Sequence, residues 1–279
     1  VFSLDEESLR IHGTGVSASL LTSHQAAGRI RFMHILLAND DGIFAPGLAA
    51  IYKELLAFGE VTVVAPSDVQ SGAGHSITLR TPLVVNRVNV NGLFTGFSVA
   101  GSPADCVKLG ILELAGRPID LVVAGINGGA NVGIDVYYSG TVAAAMEGAF
   151  YRIPSVAMSM VMDEPMDYEA GARYCAEVLR KVLPMGHFEV ININVPALSK
   201  GKPRGIRVVE QSQNGCRDNY VKDRDAEGRT VYMLASPAAY RETQLSDVTE
   251  LQDGYITVTA LHHSMTSHKV MKRLNEIEF

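Results

Sequence analysis

The sequence predicts an α/β fold: a mainly parallel sheet with helices on both faces, followed by a smaller β-rich C-terminal appendage. Three observations predict it. Short β-branched runs alternate with helical ones from Met33 onward. Most of those runs read as continuous apolar stretches, as strands buried on both faces do. After Pro196 the alternation gives way to a basic, Gly-rich stretch and further β-prone runs.

Each element follows from local chemistry. Strands are expected at residues 34–38, 60–65, 119–126, 155–160 and 189–195, and helices at 46–58, 103–115, 142–151 and 168–183. Pro46 stands where a helix start tolerates it, and Gly59 follows the last apolar turn of that helix. Residues 81–99 break the alternation: Val84, Val85, Val88, Val90, Phe94 and Phe97 surround Asn91-Gly92, a favoured hairpin turn pair, so an antiparallel insertion is expected. Beyond it, β-prone runs lie at 206–209, 230–234 and 255–259. Residues 1–32 show weak periodicity and begin with Val1, so Met33 reads as the natural start and the first segment as an extension outside the fold. The expected division is 1–32 extension, 33–196 main domain, 197–279 C-terminal β-rich region.

Composition limits the partners. The 279 residues carry 30 Asp plus Glu against 24 Lys plus Arg, a net charge of −6, with 47% hydrophobic residues. That balance offers no broad basic surface for DNA or an anionic membrane. No apolar stretch approaches the ~18 residues of a membrane span, and no signal-like start is present, so a cytoplasmic address is expected. Cys106, Cys175 and Cys216 are widely spaced with no metal-site pattern and read as reduced thiols.

Ligands of an open parallel sheet bind beyond the carboxyl ends of its strands, and the residues there are polar. Asn39-Asp40-Asp41-Gly42 follows the first strand, Ser71-Gly72-Ala73-Gly74-His75-Ser76 the second, and Asn127-Gly128-Gly129-Ala130-Asn131-Val132-Gly133 the strand expected to end at Ile126. Adjacent carboxylates within a strand point to opposite faces; Asp40 and Asp41 converge only if the chain leaves strand geometry, which Gly42 permits. Held close and ionised they repel, and a divalent cation is the simplest remedy. With the Ser71 hydroxyl and the Asn127 amide oxygen they make a hard, all-oxygen set suited to Mg²⁺, Mn²⁺ or Ca²⁺. Alone, Asn-Asp-Asp-Gly reads equally well as a solvated turn. Ser139-Gly140-Thr141 opens a helical run whose N-terminus suits a phosphate, although alone it reads more readily as an ordinary cap. His75 fits either a substrate contact or a surface loop. His262, His263 and His268 lack HExxH spacing and read as solvent or interface residues. Tyr137 and Tyr138 fit either a nucleobase or a subunit contact.

The strings at 35–47 (ILLANDDGIFAPG), 71–76 (SGAGHS), 101–106 (GSPADC), 125–133 (GINGGANVG) and 138–148 (YSGTVAAAMEG) together resemble the SurE family of survival-protein 5′-nucleotidases. The resemblance runs from Met33 to about Thr266, more thinly after Gly148, where 254–259 (GYITVT) continues it. It departs at Ala260, where Pro is expected before Leu261. It implies a Rossmann-like core with an extended C-terminal hairpin, assembled into homodimers or homotetramers partly by exchange of C-terminal elements. It also implies a metal-dependent phosphomonoesterase acting on nucleoside 5′-monophosphates, with 3′-monophosphates as further substrates. The implied metal ligands are Asp40, Asp41, Ser71 and Asn127, holding one divalent ion per subunit, Mg²⁺ or Mn²⁺ first and Ca²⁺ in crystals. Asp40 and Asp41 are the implied catalytic residues. Asn39, Gly72, Asn131, Ser139, Gly140 and Thr141 would contact the phosphoryl group or substrate. Two rivals stand beside it: a nucleotide-binding stress-response module without turnover, and a phosphatase acting through an aspartyl-phosphate, whose D-x-D pattern differs from the contiguous pair here. A nicotinamide dehydrogenase fails earlier, since no G-x-G-x-x-G follows the first strand.

Overall fold

The computed structural model describes residues 32–214, 219–235 and 244–278. Residues 1–31, and with them nearly all of the expected extension, lie outside the described residues, as does Cys216. Eleven strands and six α-helices follow in chain order: β1 (Met33–Ala38), α1 (Pro46–Leu55), β2 (Gly59–Pro66), β3 (Val85–Val90), β4 (Phe94–Val99), α2 (Pro103–Leu109), β5 (Leu121–Gly128), α3 (Gly140–Phe150), β6 (Ser155–Met160), α4 (Tyr168–Val182), β7 (Val190–Val195), β8 (Ile206–Val208), β9 (Asn219–Arg224), β10 (Thr230–Ala235), α5 (Asp247–Gln252), β11 (Ile256–Leu261) and α6 (His268–Leu274).

Nine strands form one sheet in the order β3-β4-β2-β1-β5-β6-β7-β11-β8. The run from β4 to β7 is parallel, with β3 antiparallel on β4 and β11 antiparallel on β7. Strand β1 shows why the runs are continuously apolar: Ile35 and Leu37 enter the core under α1 and α4, while Leu36 and Ala38 enter the core under α2 and α3. Cys106 and Cys175 are free and buried, one in each layer.

The predicted hairpin is present as β3 and β4, and its turn puts Asn91 and Gly92 at φ of 50° and 72°, with Gly92 N–H donating to Asn89 Oδ1 at 2.8 Å. The helix expected over 103–115 is α2 followed by a π-helical turn, Gly110–Leu114. A Cβ on Gly110 would lie 2.9 Å from both methyl groups of Leu36, so the chain there presses onto β1. In the C-terminal region β8 and β11 extend the main sheet, and Ile256 and Val258 join its core. The β9–β10 ladder is a separate antiparallel hairpin.

This topology positions the site. β1 pairs with β2 on one side and β5 on the other, so the connections diverge at β1 and open a crevice at the carboxyl ends of β1 and β5.

Candidate active site

At the end of β1, Gly42 adopts φ +94°, and the chain turns out of the strand. Asn39 closes that turn by donating its side-chain N–H to Gly42 O at 2.9 Å. Asn39 is fully buried, and its Oδ1 finds no hydrogen-bond partner among the described residues. Asp40 is 4% exposed and Asp41 is half-buried.

Three other loop tips close on this pair. Gln70 N–H donates to Asp40 O at 2.8 Å, which draws the loop carrying Ser71 and Gly72 to the end of β1. Gly74 N–H donates to Tyr138 O at 3.0 Å and joins that loop to the turn before α3. From α3, Thr141 Oγ1 donates to Asp40 Oδ1 at 2.5 Å. Gly140 lies flat against the same side chain: a Cβ there would sit 2.8 Å from Asp40 Cβ and 3.1 Å from its Oδ2. From β5, Gly128 N–H makes a long contact of 3.4 Å to Asp41 Oδ2.

Strand β5 runs through Gly128, two residues beyond the expected end, so Asn127 belongs to the strand's last turn of pleat. The β5–β6 register shifts between Ala124 and Asn127, and a shift of this kind re-aims the side chains that follow. Gly125 permits it at φ +131°, where a Cβ would lie 2.2 Å from Met158 O. Asn127 spends its amide nitrogen on Gly129 O at 2.7 Å, which fixes the carboxamide and assigns its oxygen as an acceptor.

Burial pushes the Asp40 carboxyl above its ordinary range; the Thr141 hydrogen bond opposes this and the Asp41 charge adds to it. Burial also raises Asp41, opposed by Gly128 N–H. One buried and one half-buried carboxylate, an amide oxygen and the exposed Ser71 hydroxyl are hard oxygen donors, and they fit a divalent cation of the Mg²⁺ or Mn²⁺ kind.

The remaining expected residues divide. Ser139 is buried and its Oγ accepts from Val142 N–H at 3.0 Å, so the hydroxyl serves as the α3 cap. Gly72 is exposed at φ +71° with nothing near its Cβ position. Asn131 is buried away from the carboxylates' contacts: its N–H donates to Asn194 Oδ1 (2.8 Å), its Nδ2 to Ser159 Oγ (2.8 Å), and its carbonyl accepts from Asn192 and Asn194 (2.8 and 3.1 Å).

Several supporting contacts escaped the sequence reading, although Asp105 reads there as an acidic first-turn residue of its helix. Glu147, 2% exposed on α3, pairs with His75 Nε2 at 2.8 Å and Lys108 Nζ at 2.6 Å, tying the Ser71 loop to α3 and α2. Asp105 caps α2 with Ser102 and also accepts from Thr78 N–H and Oγ1 at 2.9 and 2.7 Å, holding the far end of that loop. Asp247 accepts from Gly133 and Ser212 N–H at 2.9 and 2.8 Å. Asn192 and Asn194 do carry a signal: polar residues alternate with Ile191 and Ile193 in a fully buried strand.

Fold and site define a class, a doubly wound α/β protein in which a carboxylate pair and a helix N-terminus converge at the switch point of its sheet. The family model described as Survival protein SurE matches residues 35–218, and the chain belongs to that family. The protein is 41% identical over 249 residues to 5'-nucleotidase SurE of Syntrophobacter fumaroxidans, covering 88% of this chain and 99% of that one. It is 42% identical over 250 residues to 5'-nucleotidase SurE of Rhodopirellula baltica, covering 88% and 98%. The crystal structure of SurE protein from Aquifex aeolicus superposes with a TM-score of 0.76 at 38% identity, covering 87% of this chain and 98% of that one.

Proposed function

We infer that the protein is a metal-dependent 5′-nucleotidase, hydrolysing nucleoside 5′-monophosphates to nucleoside and phosphate. The observation that carries the reading is the clamp on Asp40, a nearly buried carboxylate held by Thr141 at the N-terminus of α3 and set beside Asp41 at the switch point. The 5′-nucleotidase relatives at about 40% identity support the substrate class.

Asp40, Asp41, Ser71 and Asn127 would hold the cation, with Mg²⁺ or Mn²⁺ preferred by their oxygen chemistry. When bound, the ion supplies positive charge to a phosphate oxygen and lowers the pKa of a water. Gly140 N–H, at the start of α3, meets another phosphate oxygen, aided by the positive end of the helix. Asn39, fully buried, acts by holding the turn at Gly42 rather than by touching substrate, and the exposed Gly72 leaves room for the substrate beside Ser71. Asp40 is immobilised by Thr141, so Asp41, the more open carboxylate, takes the proton of the attacking water. Asn131 contributes by fixing the loop after β5 to β6 through its side-chain nitrogen and to β7 through its backbone, rather than by donating to phosphate. The 3′-monophosphates extend the substrate range by the same geometry, since the anchor is the phosphoryl group.

A homodimer or homotetramer is proposed on the β9–β10 hairpin, where Tyr220, Val221, Tyr232, Met233 and Leu234 are exposed. No helix among the described residues is long and apolar enough to cross a membrane. Phosphate release from a panel of nucleoside monophosphates, with Mg²⁺, Mn²⁺ or chelator, tests the reading. Metal-dependent release supports it, and binding without release returns the non-catalytic module.

A further inference from the structure

We propose that Glu189, His262 and His263 form a second cation site, chemically distinct from the oxygen-lined one and selective for a transition ion of the Zn²⁺ class. The sheet register brings these residues together. Strands β7 and β11 run antiparallel, and their last pair is Val190 with Leu261. One step further out, Glu189 and His262 therefore face each other across the end of the ladder, and His263 follows.

The side chains converge as that placement requires. His263 Nδ1 lies 2.7 Å from Glu189 Oε2 and His262 Nε2 lies 3.2 Å from Oε1. One nitrogen of each ring and a carboxylate oxygen lie within 4.8 Å of one another. The backbone N–H of His263 also donates to Oε2 at 3.2 Å and steadies the carboxylate. The two rings stack at 4.9 Å and 14°, and His263 meets the edge of Phe150 at 5.9 Å. These contacts hold both rings beside the carboxylate before an ion arrives.

Ligand chemistry selects the ion. Two imidazole nitrogens and one carboxylate suit Zn²⁺ and its neighbours, whereas Mg²⁺ and Mn²⁺ favour oxygen donors such as those around Asp40. The His262 and His263 side chains remain 62% and 45% exposed, so a water completes four-coordination. Ser264 N–H donates to His262 Nδ1 at 2.9 Å, placing the proton of the neutral ring at Nε2, toward Glu189. On binding, that proton moves to Nδ1 and the exposed Ser264 N–H turns to water, while the His263 proton moves from Nδ1 to Nε2. The site then fastens the last rung of β7 and β11, where the chain leaves the sheet for α6.

The test uses the intact chain with saturating Mg²⁺ at the oxygen site. Calorimetric titration with Zn²⁺ and anomalous diffraction at the zinc edge should show one Zn²⁺ bonded to Glu189, His262 and His263. The double substitution His262→Ala with His263→Ala should weaken Zn²⁺ binding on the order of a hundredfold while Mg²⁺-dependent phosphate release is unchanged. Glu189→Gln, which keeps the side-chain shape, should weaken it roughly tenfold. His268→Ala, outside the cluster, should leave binding as it is. A zinc peak only between Asp40 and Asp41, or equal Zn²⁺ affinity in the double variant and the parent chain, would overturn the proposal.

Discussion

Thr141 on α3 holds Asp40 at the end of β1 through a hydrogen bond from its hydroxyl to Oδ1. The bond opposes the rise that burial imposes on the Asp40 carboxyl. Thr141→Val removes it at nearly constant volume, so Asp40 should ionise at higher pH. The acid limb of the kcat/KM profile should move upward in pH, with kcat down about tenfold from the looser geometry. An unshifted limb would show that Asp40 does not govern it.

Gly140 tests contact rather than charge. Alanine is the better helix former by roughly 1 kcal/mol, yet its Cβ would press on Asp40 Cβ at 2.8 Å. Gly140→Ala should leave the unfolding free energy from urea titration within about 1 kcal/mol of the parent protein and lower kcat/KM more than tenfold, as a displaced ligand does. Loss of stability with full activity would contradict the packing described here.

Asp40 and Asp41 should destabilise the metal-free fold at neutral pH. Their folded-state pKa values are raised, so their favourable contribution is present below the unfolded pKa near 4 and is lost as pH rises through the folded values. Asp40→Asn should therefore raise the Tm of chelator-treated protein at pH 7, by about 1 kcal/mol of stability, while abolishing phosphate release. Mn²⁺ should raise the Tm of the parent protein far more than that of the variant. Equal Tm values without metal would remove the strain assigned to this carboxylate.

Asp105 and Glu147 act in the opposite sense. Burial raises each carboxyl, but hydrogen bonds from Thr78 and Ser102 bring Asp105 below its ordinary range, and His75 and Lys108 do so for Glu147. Their stabilisation is present above the unfolded pKa and disappears as pH falls through the lowered folded values. Glu147→Gln should cost about 2 kcal/mol, less than a fully buried pair because Lys108 and His75 remain part-exposed. Urea unfolding at pH 7 should show a lower midpoint at an unchanged slope, and the difference should shrink at pH 3.

The main sheet was legible because burial on both faces leaves strands such as β1 and β6 nearly continuous in apolar residues, with His34, Ser155 and Ser159 the polar exceptions. The carboxylate pair was legible because strand geometry forbids two adjacent acids from converging unless a residue such as Gly42 breaks it. What stayed hidden depends on pairing between distant segments. Strand β9 reads Asn-Tyr-Val-Lys-Asp-Arg, exposed throughout, and pairs only with β10, so no alternation marks it. Glu147 reads as one polar residue in an alanine-rich helix until the fold brings His75 and Lys108 to it. Ser139 was expected either beside phosphate or as a helix cap; its Oγ accepts from the helix it caps, which leaves its O–H proton able to donate.

The most direct measurement is anomalous diffraction from crystals soaked in Mn²⁺. A single strong peak bonded to Asp40 and Asp41, with Asn127 Oδ1 and Ser71 Oγ completing the protein ligands, is the predicted result. Density showing no manganese between the two carboxylates, in crystals of protein that still releases phosphate, would contradict it.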